Sequence, residues 1–97
     1  MPTYVTLFKW TDQGVKNIKG APARFQAAKK LTESMGGKFL GLYVTMGEYD
    51  VVALTEGPND EMASAIALSI ASKGNAQTTT MRAFTESEFS EIVKKIS

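Results

Sequence analysis

Tyr49 and Asp50 stand side by side, and a carboxylate next to a phenol can orient or deprotonate a bound enol or phenol. Arg82 supplies a permanent cation, suited to a ligand carboxylate or to the oxyanion such a reaction would form. Trp10 and Tyr43 can wall a pocket for an aromatic ligand, and Thr80 is among the hydroxyls that would need polar partners inside it. Each residue also has a plainer reading. Asp50 can satisfy backbone amides beside a turn made by Gly47, Arg82 can pair with a protein acid, and the rings can pack an interface. Neighbours on one strand point to opposite faces, so Tyr49 and Asp50 serve one pocket only if a bulge re-aims them. The structural reading of that pair therefore outweighs the catalytic one. Asp12 reads as a helix cap, and Asn75 as a left-handed turn after Gly74.

The chain has no cysteine and no histidine. That removes disulfides, thiol chemistry, most zinc, copper, haem and iron–sulfur sites, and every Ser–His or Cys–His nucleophile pair. No cofactor or metal site is expected, a weak Mg²⁺ or Ca²⁺ site held by carboxylates being the one remote option left. Eleven basic residues against ten acidic ones leave a net charge of +1, with the lysines scattered along the chain. Such a balance offers no footprint for nucleic acid or for an anionic membrane. The start of the chain lacks the layout of a signal peptide and the apolar runs fall far short of a membrane span, so a cytoplasmic protein is expected.

The 97 residues suit one domain spanning 1–97. Thr3 to Trp10, rich in β-branched and aromatic residues, predicts a strand. Gly14, Gly20 and Pro22 break the next segment, and Phe25, Ala28, Leu31 and Met35 then recur at helical spacing from Ala21 onward. Lys38 to Met46 and Glu48 to Glu56 read as two strands in a tight hairpin around Gly47. Asp60 begins a helix carrying Ala63, Ile66, Ala67 and Ile70, and Gln77 to Phe84 is a fourth strand. Thr85 and Glu88 form a capping box for a last helix. The order predicts an α+β, ferredoxin-like β-α-β-β-α-β fold with an extra C-terminal helix and a four-stranded antiparallel sheet.

Strand alternation sorts the residues into two faces. One holds Val5, Leu7, Leu40, Leu42, Val44, Met46, Val52, Leu54 and Met81, and its aliphatic character matches the helices, so it is expected to be the core. The other holds Tyr4, Thr6, Phe8, Trp10, Phe39, Gly41, Tyr43, Tyr49, Val51, Ala53, Thr78, Thr80 and Arg82. Left uncovered by the helices, that aromatic face needs either the final helix folded back over it or, the favoured reading, a second copy of the chain, and a homodimer or higher homo-oligomer is expected.

Several stretches resemble the GYD family: Trp10-Thr11-Asp12-Gln13-Gly14, then Met46-Gly47-Glu48-Tyr49-Asp50-Val51-Val52 with its Gly-x-Tyr-Asp motif, and Gly74-Asn75 followed by Thr78-x-Thr80 and Arg82-Ala83-Phe84-Thr85. The resemblance implies a dimeric α+β barrel and no settled biochemical function. With catalytic residue types missing, the first functional expectation is a homo-oligomeric regulatory or small-molecule-binding module. Its ligand would be a small aromatic or acidic molecule held near Tyr49, Asp50, Arg82, Tyr43, Trp10 and Thr80. The alternative is a cofactor-independent oxygenase or isomerase acting on a small aromatic or enolic substrate, with Asp50 or Tyr49 as the base and Arg82 steadying the oxyanion.

Overall fold

A computed structural model describes all residues, 1–97. Strand β1 (Thr3–Trp10) leads through Thr11, whose side chain accepts from the Gly14 amide, into the five-residue helix α1 (Asp12–Lys16). Thr11 is thus the N-cap expected of Asp12, which sits in the first turn instead. A 3-10 turn (Ile18–Gly20) runs into α2 (Ala21–Ser34), where Pro22 is tolerated because the first turn needs no amide donor there. Next come β2 (Lys38–Val44), β3 (Val51–Glu56), α3 (Asp60–Ala71), β4 (Ala76–Ala83) and α4 (Glu86–Val93). The Thr85–Glu88 capping box forms as expected. Gly74 takes the left-handed φ of 83° after α3, and Asn75 does not.

The sheet order is β2-β3-β1-β4 with every neighbouring pair antiparallel. This is the ferredoxin-like arrangement, with α4 as the extra helix. The connection between β2 and β3 is longer than the tight hairpin expected, because Thr45 to Asp50 leave the ladder.

The face assignment inverts. Tyr4, Val51 and Ala53 are buried under the helices, and Phe8 and Thr6 lie opposite Val51 and Ala53 on the same side. The grouping by alternation holds on β1, β3 and β4, but the aromatic and threonine group faces α2 and α3, while Val5, Leu7, Val52, Leu54 and Met81 face away. The reason is volume. The helices present Ala28, Ala63 and Ala67 to the sheet, and small side chains there leave room for rings below. The fit is loose even so, because Phe25, Leu31, Ile66 and Ile70 stand among those alanines and space remains between the layers.

On β2 the grouping itself fails, because the register shifts between Phe39 and Gly41. The extra residue flips every side chain after it. Leu42 joins the helix-covered face opposite Ala53, and Tyr43, opposite Val52, turns to the open face with 63% of its surface exposed.

Candidate ligand site

Eight residues of 97 are buried, few for a chain whose sheet carries two helices. The shortage has a location. Between sheet and helices lies a cavity of about 200 Å³. Phe8, Trp10 and Phe39 rise into it from the sheet, and Phe25, Leu31, Ile66 and Ile70 close it from α2 and α3. The helices splay over the ring-bearing strands and do not meet at side-chain density, so the space that interiors normally fill stays open.

The cavity extends along β1. At one end Tyr4 is 3% exposed and donates from its hydroxyl to Asp60 Oδ1 at 2.6 Å. Burial, then the Asp60 hydrogen bond and Asp60's charge, push the phenol up to about 12, with Arg82 opposing them, so it is a neutral donor at physiological pH. Glu56 and Gly57 line this end as well. Midway, the hydroxyls of Thr6 and Thr80 lie 3.3 Å apart. At the other end Trp10 stacks on Phe25 with centroids 6.2 Å apart, and Arg24, Lys73 and Asn75 join them in the lining.

Six residues were expected to bind a ligand, and the structure disperses them. Trp10 and Thr80 line the cavity. Arg82 lies opposite Tyr4 on the helix-side face but outside the lining, its guanidinium 4.9 Å from the Phe84 ring centre. Tyr43 is on the opposite face of the sheet. Tyr49 sits in the β2–β3 connection under the Lys9 ammonium, 5.2 Å from its ring centre.

Asp50 is a structural clamp. β1 outruns β3 by two residues, which would leave the Trp10 amide without a ladder partner. The Asp50 carboxylate accepts that amide at 2.8 Å, while the Asp50 backbone donates to the Phe8 carbonyl and accepts from the Thr45 amide. The Thr45 hydroxyl donates to the Tyr49 carbonyl, and Gly47 takes a φ of 111° at the tip. The Gly-x-Tyr-Asp segment therefore stitches three strands together at one end of the sheet, and that end is also where Trp10 enters the cavity.

Arg24 was not among the expected residues. Its signal was present: Arg24, Ala28 and Leu31 fall at i, i+4 and i+7, which places a cation in the apolar stripe of α2. No group of three or more carboxylates assembles a metal site.

The model of the GYD domain matches residues 4–93, nearly the whole chain. The chain belongs to the GYD domain family. Among proteins similar to this GYD protein is the glutamine synthetase and cystathionine beta-lyase binding protein of Thermus thermophilus. It is 29% identical over 84 residues, which span 86% of this chain and 88% of that protein. Among solved structures, the leucine response regulatory protein LrpA of Mycobacterium tuberculosis superposes with a TM-score of 0.65 at 15% identity, over 87% of this chain and 51% of that one. A hypothetical protein of Pyrococcus horikoshii superposes at 0.55 with 24% identity, over 89% of this chain and 93% of that one. At such identities the likeness is one of fold alone, and this GYD protein spans about half the length of the mycobacterial regulator.

Proposed function

We propose that this GYD protein is a regulatory binding module that works as a homodimer and holds a small, mainly apolar molecule between its sheet and helices. The cavity carries the reading: a space of about 200 Å³ lies where a packed core belongs, walled by rings and aliphatic side chains. Apolar cavities of about 150 Å³ already accept a benzene-sized guest. The regulatory part is supported by the Thermus relative, whose name makes it a binder of two enzymes.

The dimer is supported by the face turned away from the helices. Val5, Leu54 and Met81 form one row across three strands, and Leu7, Val52 and Tyr43 form a second. An apolar field of that extent, uncovered within one chain, suits pairing with an identical field across a two-fold axis. The catalytic alternative needs a base in the cavity, and neither Asp50 nor Tyr49 lines it.

Thermal melts against a broad panel of small aromatic and aliphatic molecules test the proposal. A ligand at about 100 times its Kd stabilises by about 2.7 kcal/mol, a rise in Tm of about 10 °C or more for a domain of this size. Flat melts across the panel would defeat it.

A further inference from the structure

The basic end of the cavity holds an arginine with nothing to neutralise it. Arg24 Nη1 donates to the Asn17 carbonyl at 2.8 Å, and its Nη2 is buried with no partner. The two ion pairs of the molecule, Lys9–Glu48 and Lys94–Glu91, leave Arg24 out. Its guanidinium lies 5.8 Å from the centre of the Trp10 ring, whose other neighbour is Phe25. An arginine stays protonated at any ordinary pH, and this one lines the cavity with no carboxylate beside it, so its charge is available to an anion there.

The charges of the lining give that anion a direction. Arg24 and Lys73 are in the lining at the Trp10 end, whereas at the Tyr4 end the nearest carboxylate, that of Asp60, already accepts the Tyr4 hydroxyl. Trp10 pairs with Ala76, just past Lys73, whereas Tyr4, at the other end of the strand, pairs with Arg82. An anionic head meets two cations in the lining at the first end, and at the second a carboxylate offset by Arg82, which stays outside the lining. Everything between is apolar apart from threonine hydroxyls.

We propose that Arg24 is a carboxylate-binding residue and that the ligand is a monocarboxylate with an elongated apolar body, its carboxylate at Arg24 and its tail pointing towards Tyr4. The proposal rests on the cavity being a binding site. The size of the tail follows from the space. At an interior packing density of about 0.74, a volume near 200 Å³ holds about eight to eleven carbon and oxygen atoms. A straight chain of eight carbons or a phenyl ring on a short chain fits that range. The planar guanidinium favours carboxylate because two of its parallel N–H groups match the two oxygens, and its one hydrogen bond, to the Asn17 carbonyl, leaves donors over.

The test uses octanoate and 3-phenylpropanoate, each against its neutral alcohol, 1-octanol and 3-phenyl-1-propanol, titrated into the full chain by calorimetry. Trp10, the one tryptophan, gives a second readout, because a carboxylate beside Arg24 alters its emission. Each acid is expected to bind about tenfold or more tighter than its alcohol, as a charge-assisted hydrogen bond requires. Arg24→Met is expected to remove that preference while leaving the alcohols within about twofold, with Arg24→Lys between the two. Should Arg24→Met fail to fold, the acid-against-alcohol comparison and the Trp10 emission of the unsubstituted protein still decide. Equal binding of acid and alcohol, or a preference that survives Arg24→Met, overturns the carboxylate assignment and leaves the cavity reading standing. No binding by any of the four compounds at millimolar concentration overturns the monocarboxylate assignment, whereas the cavity reading falls only with flat melts across the broader panel.

Discussion

Tyr4 shows how one residue can carry both structure and a pH response. Its hydroxyl reaches Asp60 at the N-terminal turn of α3, which ties that helix to the first strand. Tyr4→Phe keeps the ring and loses the bond, so it should destabilise by about 1–2 kcal/mol, or about 4–16 °C in Tm. The alkaline response has a definite sign. Folding raises the phenol from 10.0 to about 12, so the native state holds its proton more tightly than the unfolded chain. That stabilisation is complete below pH 10 and is lost as pH climbs through about 12. Unfolding in denaturant across this window should show wild type losing more stability than Tyr4→Phe. Parallel curves would mean that Tyr4 is not the buried phenol described. Asp50 illustrates the opposite outcome at the same scale: a residue whose type suggested chemistry is held in backbone hydrogen bonding.

Among the elements, α1 is the shortest and the most tightly stitched. The Thr11 amide donates to the Asn75 carbonyl at 3.1 Å, the Thr11 hydroxyl donates to the Gly74 carbonyl, and Gln13 Nε2 reaches both the Lys73 carbonyl and Asn75 Oδ1. Gly14 is buried against this connection, and a Cβ there would run into the Asn75 carbonyl. Backbone cannot yield as a flexible side chain does. Gly14→Ala should therefore cost about 1–3 kcal/mol despite alanine's better helix propensity. It should also weaken ligand binding, since Lys73 and Asn75 line the cavity. An unchanged Tm would show that α1 is not seated as described. At the other end of the chain, α4 keeps its capping box without docking broadly on the sheet or the other helices. The Thr85 backbone amide holds the Glu88 carboxyl below its usual 4.5, so that part of the cap is present above this pH and fades as pH falls through the folded value.

The whole molecule measures 51 × 31 × 18 Å with a radius of gyration of 14.6 Å. A compact chain of this length would have a radius of about 12.5 Å. The excess reflects α4 extending from β4 with Phe89, Val93 and Ile96 exposed, and a sheet with one apolar face uncovered. Both features suit a larger assembly. Leu54→Lys places a charge in the middle of the open face. In the proposed dimer it should convert the protein to monomer at micromolar concentration in sedimentation, at a cost of several kcal/mol. In a protein whose open face meets water it should change neither mass nor Tm appreciably, and that result would sink the pairing.

The sequence by itself determined the elements, their order, the capping box and the ferredoxin-like topology, because these follow from local periodicity, turn residues and short-range hydrogen bonds. It also carried the family, through motifs spread along the chain. Only the tertiary structure decided which face of the sheet the helices cover. Alternation separates two faces but says nothing about which one the crossing helices will choose, and that choice turned on fitting rings beneath alanines. The bulge at Leu40 likewise moved Tyr43 to the far side, since a single extra residue reverses a strand's facing without leaving a clear mark in composition. Arg24 became the leading candidate for the same reason: an arginine in a helical stripe looks like a solvated end until the packing shows that one of its nitrogens has nothing to bind.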